Sequence, residues 1–186
     1  MSAVDWGCRL LLAVVFALAA GSKAWSRESF KDFTRTLGSF GVPKALEGAP
    51  LAAAVVVAEA LCVLLLLAAA PAGYALALLL LGGFTLGLVR AWRGAEPVSC
   101  RCFGASASPV GPAHLARNGL LLSVGVLGML GHQAGMAGPA PLEVALLAGA
   151  IGVLAGVFVT RWDDLVFLIW GPQPAASGAA LKKSRR

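Results

Sequence analysis

Charge is scarce in this sequence. Its 186 residues include 15 Lys and Arg and 9 Asp and Glu, which together form 13% of the chain, whereas globular domains average about 25%. Only two histidines, His114 and His132, and one tyrosine, Tyr74, are present. A soluble domain needs a largely polar surface, so this composition excludes an ordinary water-soluble fold.

The sequence also lacks the motifs of several large functional classes. It contains no glycine-rich phosphate-binding loop, no hydrolase signature and no internal repeat. Its densest basic cluster, residues 182–186, is at the C-terminus, where a solvated tail that touches anionic lipid explains it better than nucleic-acid binding. We therefore predict no nucleotide-dependent enzyme and no nucleic-acid partner.

Long apolar runs dominate the chain instead. Hydrophobic residues make up 59% of it, and the mean hydropathy is +0.83. A membrane-spanning helix needs about 20 mostly apolar residues, because only a helix satisfies its own backbone hydrogen bonds in hydrocarbon. Five segments qualify: Trp6 to Trp25, Pro50 to Ala70, Ala72 to Trp92, Leu115 to Gly135 and Pro141 to Trp162. The prediction is an all-α, polytopic transmembrane helix bundle in contact with the lipid bilayer.

Lysine and arginine are distributed unevenly between the predicted connectors. Five spans would leave only Arg9 on one side of the membrane and every other basic residue on the opposite side. Short translocated connectors avoid positive charge, so the basic side should be cytoplasmic. We expect a multi-pass protein of the cell membrane with its N-terminus outside and its C-terminus in the cytoplasm.

An amphipathic segment separates the first two spans. Its apolar residues recur at helical spacing: Phe30, Phe33, Leu37 and Phe40. We expect an interfacial helix that begins at Ser29, with Asp32 in a capping role, and ends near Gly41 and Pro43. Such a helix would act either as a lid on the bundle or as a simple surface anchor.

Glycine pairs with four-residue spacing allow close contact between helix backbones. Three such pairs occur in the apolar segments: Gly83 with Gly87, Gly131 with Gly135, and Gly152 with Gly156. They predict tightly packed helices rather than a wide pore.

The most distinctive residues are the thiols of Cys100 and Cys102, separated by Arg101 on a polar connector. A Cys-x-Cys disulfide closes a small strained ring, which favours exchange, and the arginine favours the reactive thiolate. The pair therefore indicates thiol-disulfide exchange. A metal site with His114 as a third ligand, or an unreactive structural pair, are the alternatives.

The other two cysteines are placed differently. Cys8 lies at the outer end of the first span and Cys62 lies within the second, so neither should readily reach the thiol connector. We interpret both as small apolar residues, with a thiol relay across the bilayer as the alternative.

An ionisable residue lies deep in the second span. Glu59 should be about 13 Å below the inner surface, where a carboxylate must be protonated or paired. The nearest candidate partners are Lys23, Arg117 and the amide of Asn118. They predict a polar cluster that handles protons or binds a polar head such as a quinone ring; a structural salt bridge is the alternative.

These features resemble the MauE family, the methylamine utilisation membrane proteins within the DoxX-like group. The resemblance covers about residues 5 to 132 and is carried by the following motifs: Arg9 to Lys23 with Phe16 and its Ala20-Gly21-Ser22-Lys23 ending, Gly41-Val42-Pro43, Glu59, Cys100-Arg101-Cys102-Phe103-Gly104, and Arg117-Asn118. Only the Cys-x-Cys-Phe-Gly element is distinctive by itself.

The resemblance implies a DoxX-like four-helix membrane domain over residues 1–135. Residues 136–165 would then add a fifth span, and residues 166–186 a basic cytoplasmic tail. The implied role is maturation of methylamine dehydrogenase beside a thioredoxin-like, membrane-anchored partner, MauD. Cys100 and Cys102 would form the redox pair, supported by Lys23, Glu59 and the pair Arg117-Asn118.

Three functional alternatives stay open at this point. A redox role predicts loss of function when either connector cysteine is replaced, whereas a non-catalytic scaffold for a partner oxidoreductase predicts no loss. A small-molecule transporter ranks last, because we expect few polar residues in the outer half of the bundle. The charge distribution also places the thiol connector in the cytoplasm, where thiols are normally kept reduced.

Overall fold

The computed structural model describes residues 3–39, 48–93, 99–100, 108–109, 112–133 and 141–161. These residues form the helices α1 (Ala3–Ala24), α2 (Arg27–Ser39), α3 (Ala49–Leu67), α4 (Pro71–Arg93), α5 (Pro112–Gln133) and α6 (Leu142–Thr160). Between α4 and α5, the two-residue strands β1 (Ser99–Cys100) and β2 (Ser108–Pro109) pair in antiparallel fashion. The prediction of an all-α helix bundle is confirmed.

Five helices are long and apolar enough to cross a membrane: α1, α3, α4, α5 and α6. Each begins and ends within three residues of the predicted span. Large apolar side chains on their outer faces, such as Leu64, Leu79 and Leu154, are more than half exposed, which is unfavourable in water but suits a hydrocarbon environment. The chain is therefore a multi-pass membrane protein.

Helix α1 lies at the centre of the bundle. It packs against α2, α3, α5 and α6, and its Leu12, Phe16 and Ala19 are completely buried. The same helix carries buried charged residues near both ends, namely Asp5 and Arg9 at one end and Lys23 at the other. Because α1 contacts most of the other helices, groups on it can meet partners from each of them.

Close glycine packing joins α6 to α1. A Cβ atom on Gly152 would overlap the backbone of Gly7, and one on Gly156 would lie 2.9 Å from the Leu11 carbonyl oxygen. The prediction of a close helix contact at this pair is confirmed. It is wrong for Gly83, where a Cβ atom would meet no atom within 4 Å. Gly135 lies outside the described residues.

Helix α2 begins two residues earlier than predicted. Its first turn is capped by Ser26, whose hydroxyl oxygen accepts a hydrogen bond from the Ser29 backbone N–H at 3.0 Å. The predicted start at Ser29, with Asp32 as its cap, is therefore wrong, because the backbone N–H of Ser29 already donates to the Ser26 hydroxyl. The helix ends at Ser39, and Gly41 and Pro43 lie outside the described residues.

A tight turn connects α3 to α4. Ala69 adopts a left-handed conformation with φ of 60°, and the Ala70 N–H donates back to the Leu65 carbonyl at 3.0 Å, which ends α3. The next helix then packs so closely that a Cβ atom on Gly73 would lie 2.8 Å from the Leu66 backbone nitrogen. This turn brings the C-terminal carbonyl groups of α3 towards the Asp5 end of α1.

Candidate functional site

A buried ion pair joins α1 to α3. The Nζ atom of Lys23 lies 2.7 Å from Oε1 of Glu59, and the two side chains are 2% and 0% exposed. Glu59 is about 15 Å along α3 from its first residue, so the carboxylate lies well inside the span. The structure thus brings together two of the residues that the sequence assigned to a polar cluster.

The two partners of this ion pair have unequal surroundings. Lys23 Nζ also donates to the Ala19 carbonyl oxygen at 3.2 Å, and it lies 5.0 Å from the ring centre of Phe33 and 5.5 Å from that of Phe84. Such ring faces attract an ammonium group, particularly away from water. By contrast, Oε2 of Glu59 has no hydrogen-bond partner within the described part of the chain. The lysine is held by several groups, whereas the carboxylate depends on the lysine.

Helix α2 contacts this ion pair directly. Phe33 is 2% exposed, and its ring covers the Lys23 ammonium from the surface side of the bundle. The aromatic contact excludes water from the pair, which strengthens the electrostatic attraction. Of the two roles considered for this helix, a cover over the polar cluster agrees with the contact.

The other predicted members of the cluster lie on α5. Arg117 and Asn118 are 3% and 0% exposed, so both are buried as expected. The Asn118 amide donates to the Thr85 hydroxyl of α4 at 3.3 Å. Within the described residues no hydrogen bond or ion pair connects either side chain to Glu59. Asn118 therefore links α5 to α4 rather than to the carboxylate.

The thiol connector is described only at the base of its hairpin. Cys100 is the last residue of β1 and pairs with Ser108 of β2. Residues 101–107, including Arg101 and Cys102, lie outside the described residues, as does the side chain of Cys100. The strand pairing places Cys100 next to Ser108.

The remaining cysteines are free thiols within the helices. Cys62 is completely buried, and its Sγ atom lies 3.6 Å from the Gly73 carbonyl oxygen as a weak donor. Cys8 is half-buried. No group of three or more His, Cys, Asp or Glu residues that could hold a metal ion occurs in the described ranges.

A second buried polar network lies at the opposite end of α1, and sequence reasoning missed it. Arg9 Nη2 donates to both carboxylate oxygens of Asp5, at 2.9 and 3.0 Å, and Nη1 donates to the Leu66 carbonyl oxygen at 3.0 Å. The Tyr74 hydroxyl donates to Asp5 Oδ1 at 2.8 Å. The network therefore connects α1, α3 and α4 through charge-assisted hydrogen bonds.

His132 is the member of this network closest to the surface. Its Nδ1 atom lies 3.4 Å from Arg9 Nη2 and 3.7 Å from Asp5 Oδ2, and the side chain is 26% exposed. The ring can accept from the guanidinium when neutral and donate towards the carboxylate when protonated. The imidazole thus extends the network from α1, α3 and α4 to α5.

This end of the bundle, for which we predicted few polar residues, therefore holds a buried polar network. Arg9 is 1% exposed, because Asp5 one helical turn away neutralises its charge. The four-residue spacing of Asp5 and Arg9, which places both side chains on one face of the helix, was the sequence signal for this ion pair. The contributions of Tyr74 and His132 depend on the packing of distant segments and have no local signal.

Both ends of α1 thus hold buried ionic groups. The Arg9 network and the Lys23 ion pair are 14 residues apart, which corresponds to about 21 Å along the helix axis. Each combines a carboxylate with a cation and aromatic groups, an arrangement suited to holding or transferring a proton away from bulk water.

A family model matches most of the chain. Residues 1–131 match the family model of the methylamine utilisation protein MauE. The matched region includes the thiol connector, the Lys23 ion pair and the residues Asp5, Arg9 and Tyr74, whereas His132 and α6 lie beyond it. No curated protein and no solved structure matches the chain significantly. Because the matched region covers more than half of the sequence, the chain belongs to the MauE family.

Proposed function

We propose that this protein supports thiol-disulfide exchange through Cys100 and Cys102, in the maturation of a partner enzyme. The observation that carries the proposal is the hairpin base, where Cys100 pairs with Ser108 and begins the Cys-x-Cys segment. Membership of the MauE family adds support, since the matched residues include this segment. In the namesake system the partner enzyme is methylamine dehydrogenase, and methylamine metabolism would be the corresponding process.

The exchange step conserves atoms and electrons. A thiolate of the pair attacks a disulfide of the partner and forms a mixed disulfide, and one partner thiolate leaves. The second thiolate then attacks the mixed disulfide, which joins Cys100 to Cys102 and releases the second partner thiolate. Two electrons pass from the pair to the partner, and the reverse sequence oxidises the partner. Arg101 would favour the attacking thiolate.

The buried residues would support this exchange from within the bundle. Lys23 and Glu59 would handle the protons that accompany it, with Arg117 and Asn118 as further polar support. A quinone is a candidate cofactor of this cluster, because the buried Oε2 atom of Glu59, which has no partner within the described residues, would accept a hydrogen bond from a quinol hydroxyl.

The partner and the orientation belong to the same proposal. A membrane-anchored, thioredoxin-like protein, similar in role to MauD, would exchange disulfides with the hairpin. The N-terminus would lie outside the cell membrane and the C-terminus in the cytoplasm, which places the thiols on the cytoplasmic side. Electrons would then enter the pair from a cytoplasmic thiol donor.

Thiol labelling of inverted membrane vesicles, prepared from cells of each growth condition, tests the proposal. A membrane-impermeant maleimide, applied to the vesicles with and without prior reduction, should label Cys100 and Cys102 strongly only after reduction under some growth conditions. Labelling in inverted vesicles, but not in intact cells, would identify the cytoplasmic side. A pair that stays in one redox state under every condition would refute the exchange mechanism.

Matched cysteine variants separate a redox role from a scaffold. Cys100→Ser and Cys102→Ser should each abolish maturation of the partner enzyme, whereas Cys62→Ser should leave it intact, because this thiol is buried and only weakly bonded. If the Cys100→Ser and Cys102→Ser variants are expressed normally and still support maturation of the partner enzyme, the protein is instead a non-catalytic membrane subunit.

A further inference from the structure

Three basic side chains form one exposed row on α2. Arg27, Lys31 and Arg35 follow each other at four-residue spacing, so they lie on the same face of the helix. All three line one open groove of about 560 Å³, and none of the described residues that line it is acidic. The groove therefore presents a concentrated positive charge.

The groove is located where two spans meet the membrane surface. Its lining includes Ala24, the last residue of α1, and Ala49, the first residue of α3. The adjacent Trp25 is 89% exposed, which suits an indole at the level of the lipid headgroups. Both helices qualify as membrane spans, so the groove lies at the boundary between hydrocarbon and water.

The orientation of the basic row is fixed by packing on the opposite face of α2. Phe33 and Leu37 are 2% and 8% exposed and belong to the hydrophobic core. Because these anchors hold the helix against the bundle, the basic row cannot rotate towards the protein interior. The row is thus a feature of the folded structure rather than of a mobile tail.

The charge of the row is mostly uncompensated. Arg35 contacts Asp32 at 3.3 Å, but its side chain is 79% exposed, so this ion pair is weak. Arg27 and Lys31 form no ion pair with any residue that the structure describes. Phe30 adds an apolar surface within the same groove. A fitting ligand therefore combines an anionic head with an apolar body.

We propose that this groove binds the headgroup of an anionic phospholipid. The three basic side chains would contact the phosphate and any further negative charge, and the acyl chains would extend along Phe30 and the ends of α1 and α3. A free phosphate ion would use the charges alone and gain nothing from the apolar lining. The inference is independent of the thiol chemistry, because it involves neither the hairpin nor the Lys23 ion pair.

Lipid retention by the purified full-length protein tests this proposal. The protein is incorporated into vesicles of equal parts phosphatidylglycerol and phosphatidylcholine, extracted into a mild detergent, and analysed by native mass spectrometry. Since each basic residue near an anionic surface contributes roughly fivefold in affinity, the combined Arg27→Gln, Lys31→Gln and Arg35→Gln variant should bind phosphatidylglycerol on the order of 100-fold more weakly than the wild type.

Two controls make the result specific. Neutralising the C-terminal tail by Lys182→Gln, Lys183→Gln, Arg185→Gln and Arg186→Gln should leave the retention unchanged, and Lys31→Arg should preserve it. An unchanged helical circular dichroism spectrum shows that each variant is folded. Equal retention of both lipids by the wild type, or loss of preference only in the tail variant, would overturn the proposal. Inorganic phosphate that displaces the lipid at millimolar concentration would likewise indicate a simple anion site.

Discussion

The unequal surroundings of Lys23 and Glu59 predict unequal effects of replacing each one. Lys23→Met leaves a buried carboxylate that has lost its only hydrogen-bond partner within the described residues. Glu59→Gln leaves the lysine with a similar amide oxygen, the Ala19 carbonyl and two aromatic rings. Breaking a buried pair costs about 3–5 kcal/mol, so we expect Lys23→Met to reach this range and Glu59→Gln to cost about half as much.

Replacing both residues should restore much of the stability. Lys23→Met with Glu59→Leu removes both buried charges and keeps similar side-chain volumes, and such replacements are often neutral or stabilising. The double variant should therefore lie within about 1–2 kcal/mol of the wild type, which is a smaller loss than that of Lys23→Met alone. Reversible unfolding of the purified protein in mixed detergent and SDS micelles measures all three variants on one scale.

This set of variants also separates stability from function. If the ion pair handles protons, the double variant should be stable but unable to support maturation of the partner enzyme. A stable and fully active double variant would make the pair a structural salt bridge. A double variant that is less stable than Lys23→Met alone, or a Lys23→Met variant that is no more harmful than Glu59→Gln, would refute the reasoning from their contacts.

Two further predictions concern the packing of α1. Gly152→Ala should destabilise the protein by about 1–3 kcal/mol, because the new Cβ atom would overlap the Gly7 backbone and separate α6 from α1. The control in the same unfolding assay is Gly83→Ala, which should cost nothing because the space around Gly83 is open. Tyr74→Phe should cost about 1–3 kcal/mol by removing a hydrogen bond to the buried Asp5 carboxylate. A neutral Gly152→Ala variant, or a Tyr74→Phe variant as stable as the wild type, would contradict the packing described above.

The two buried ionic groups give α1 a central structural role. Arg9 and Asp5 connect one end of the helix to α3, α4 and α5, and Lys23 connects the other end to α2, α3 and α4. Polar contacts of this kind restrict the register of helices that apolar packing alone would leave free to slide. The bundle therefore has defined attachment points at both ends of α1.

The location of the spans could be predicted from the sequence because hydropathy is a local property. Each span needs a continuous apolar stretch, and the five predicted stretches agree with the helices that the structure describes. The contact of Lys23 with Glu59 was also predictable in outline, since a carboxylate within a span requires a partner. The four-residue spacing of glycines did not identify which of them contact another helix, because Gly83 and Gly152 occur in similar patterns and only Gly152 faces another helix.

The membrane class, the helices among the described residues and the place of the thiol connector between α4 and α5 follow from the sequence alone, because apolar length and residue spacing are local properties of the chain. The burial of Arg9 is known only from the tertiary structure, since its partners Tyr74 and His132 come from distant helices. The tertiary structure also shows that α2 turns its basic row outwards and Phe33 inwards over Lys23. These features depend on how helices rotate and pack, which a single sequence does not specify.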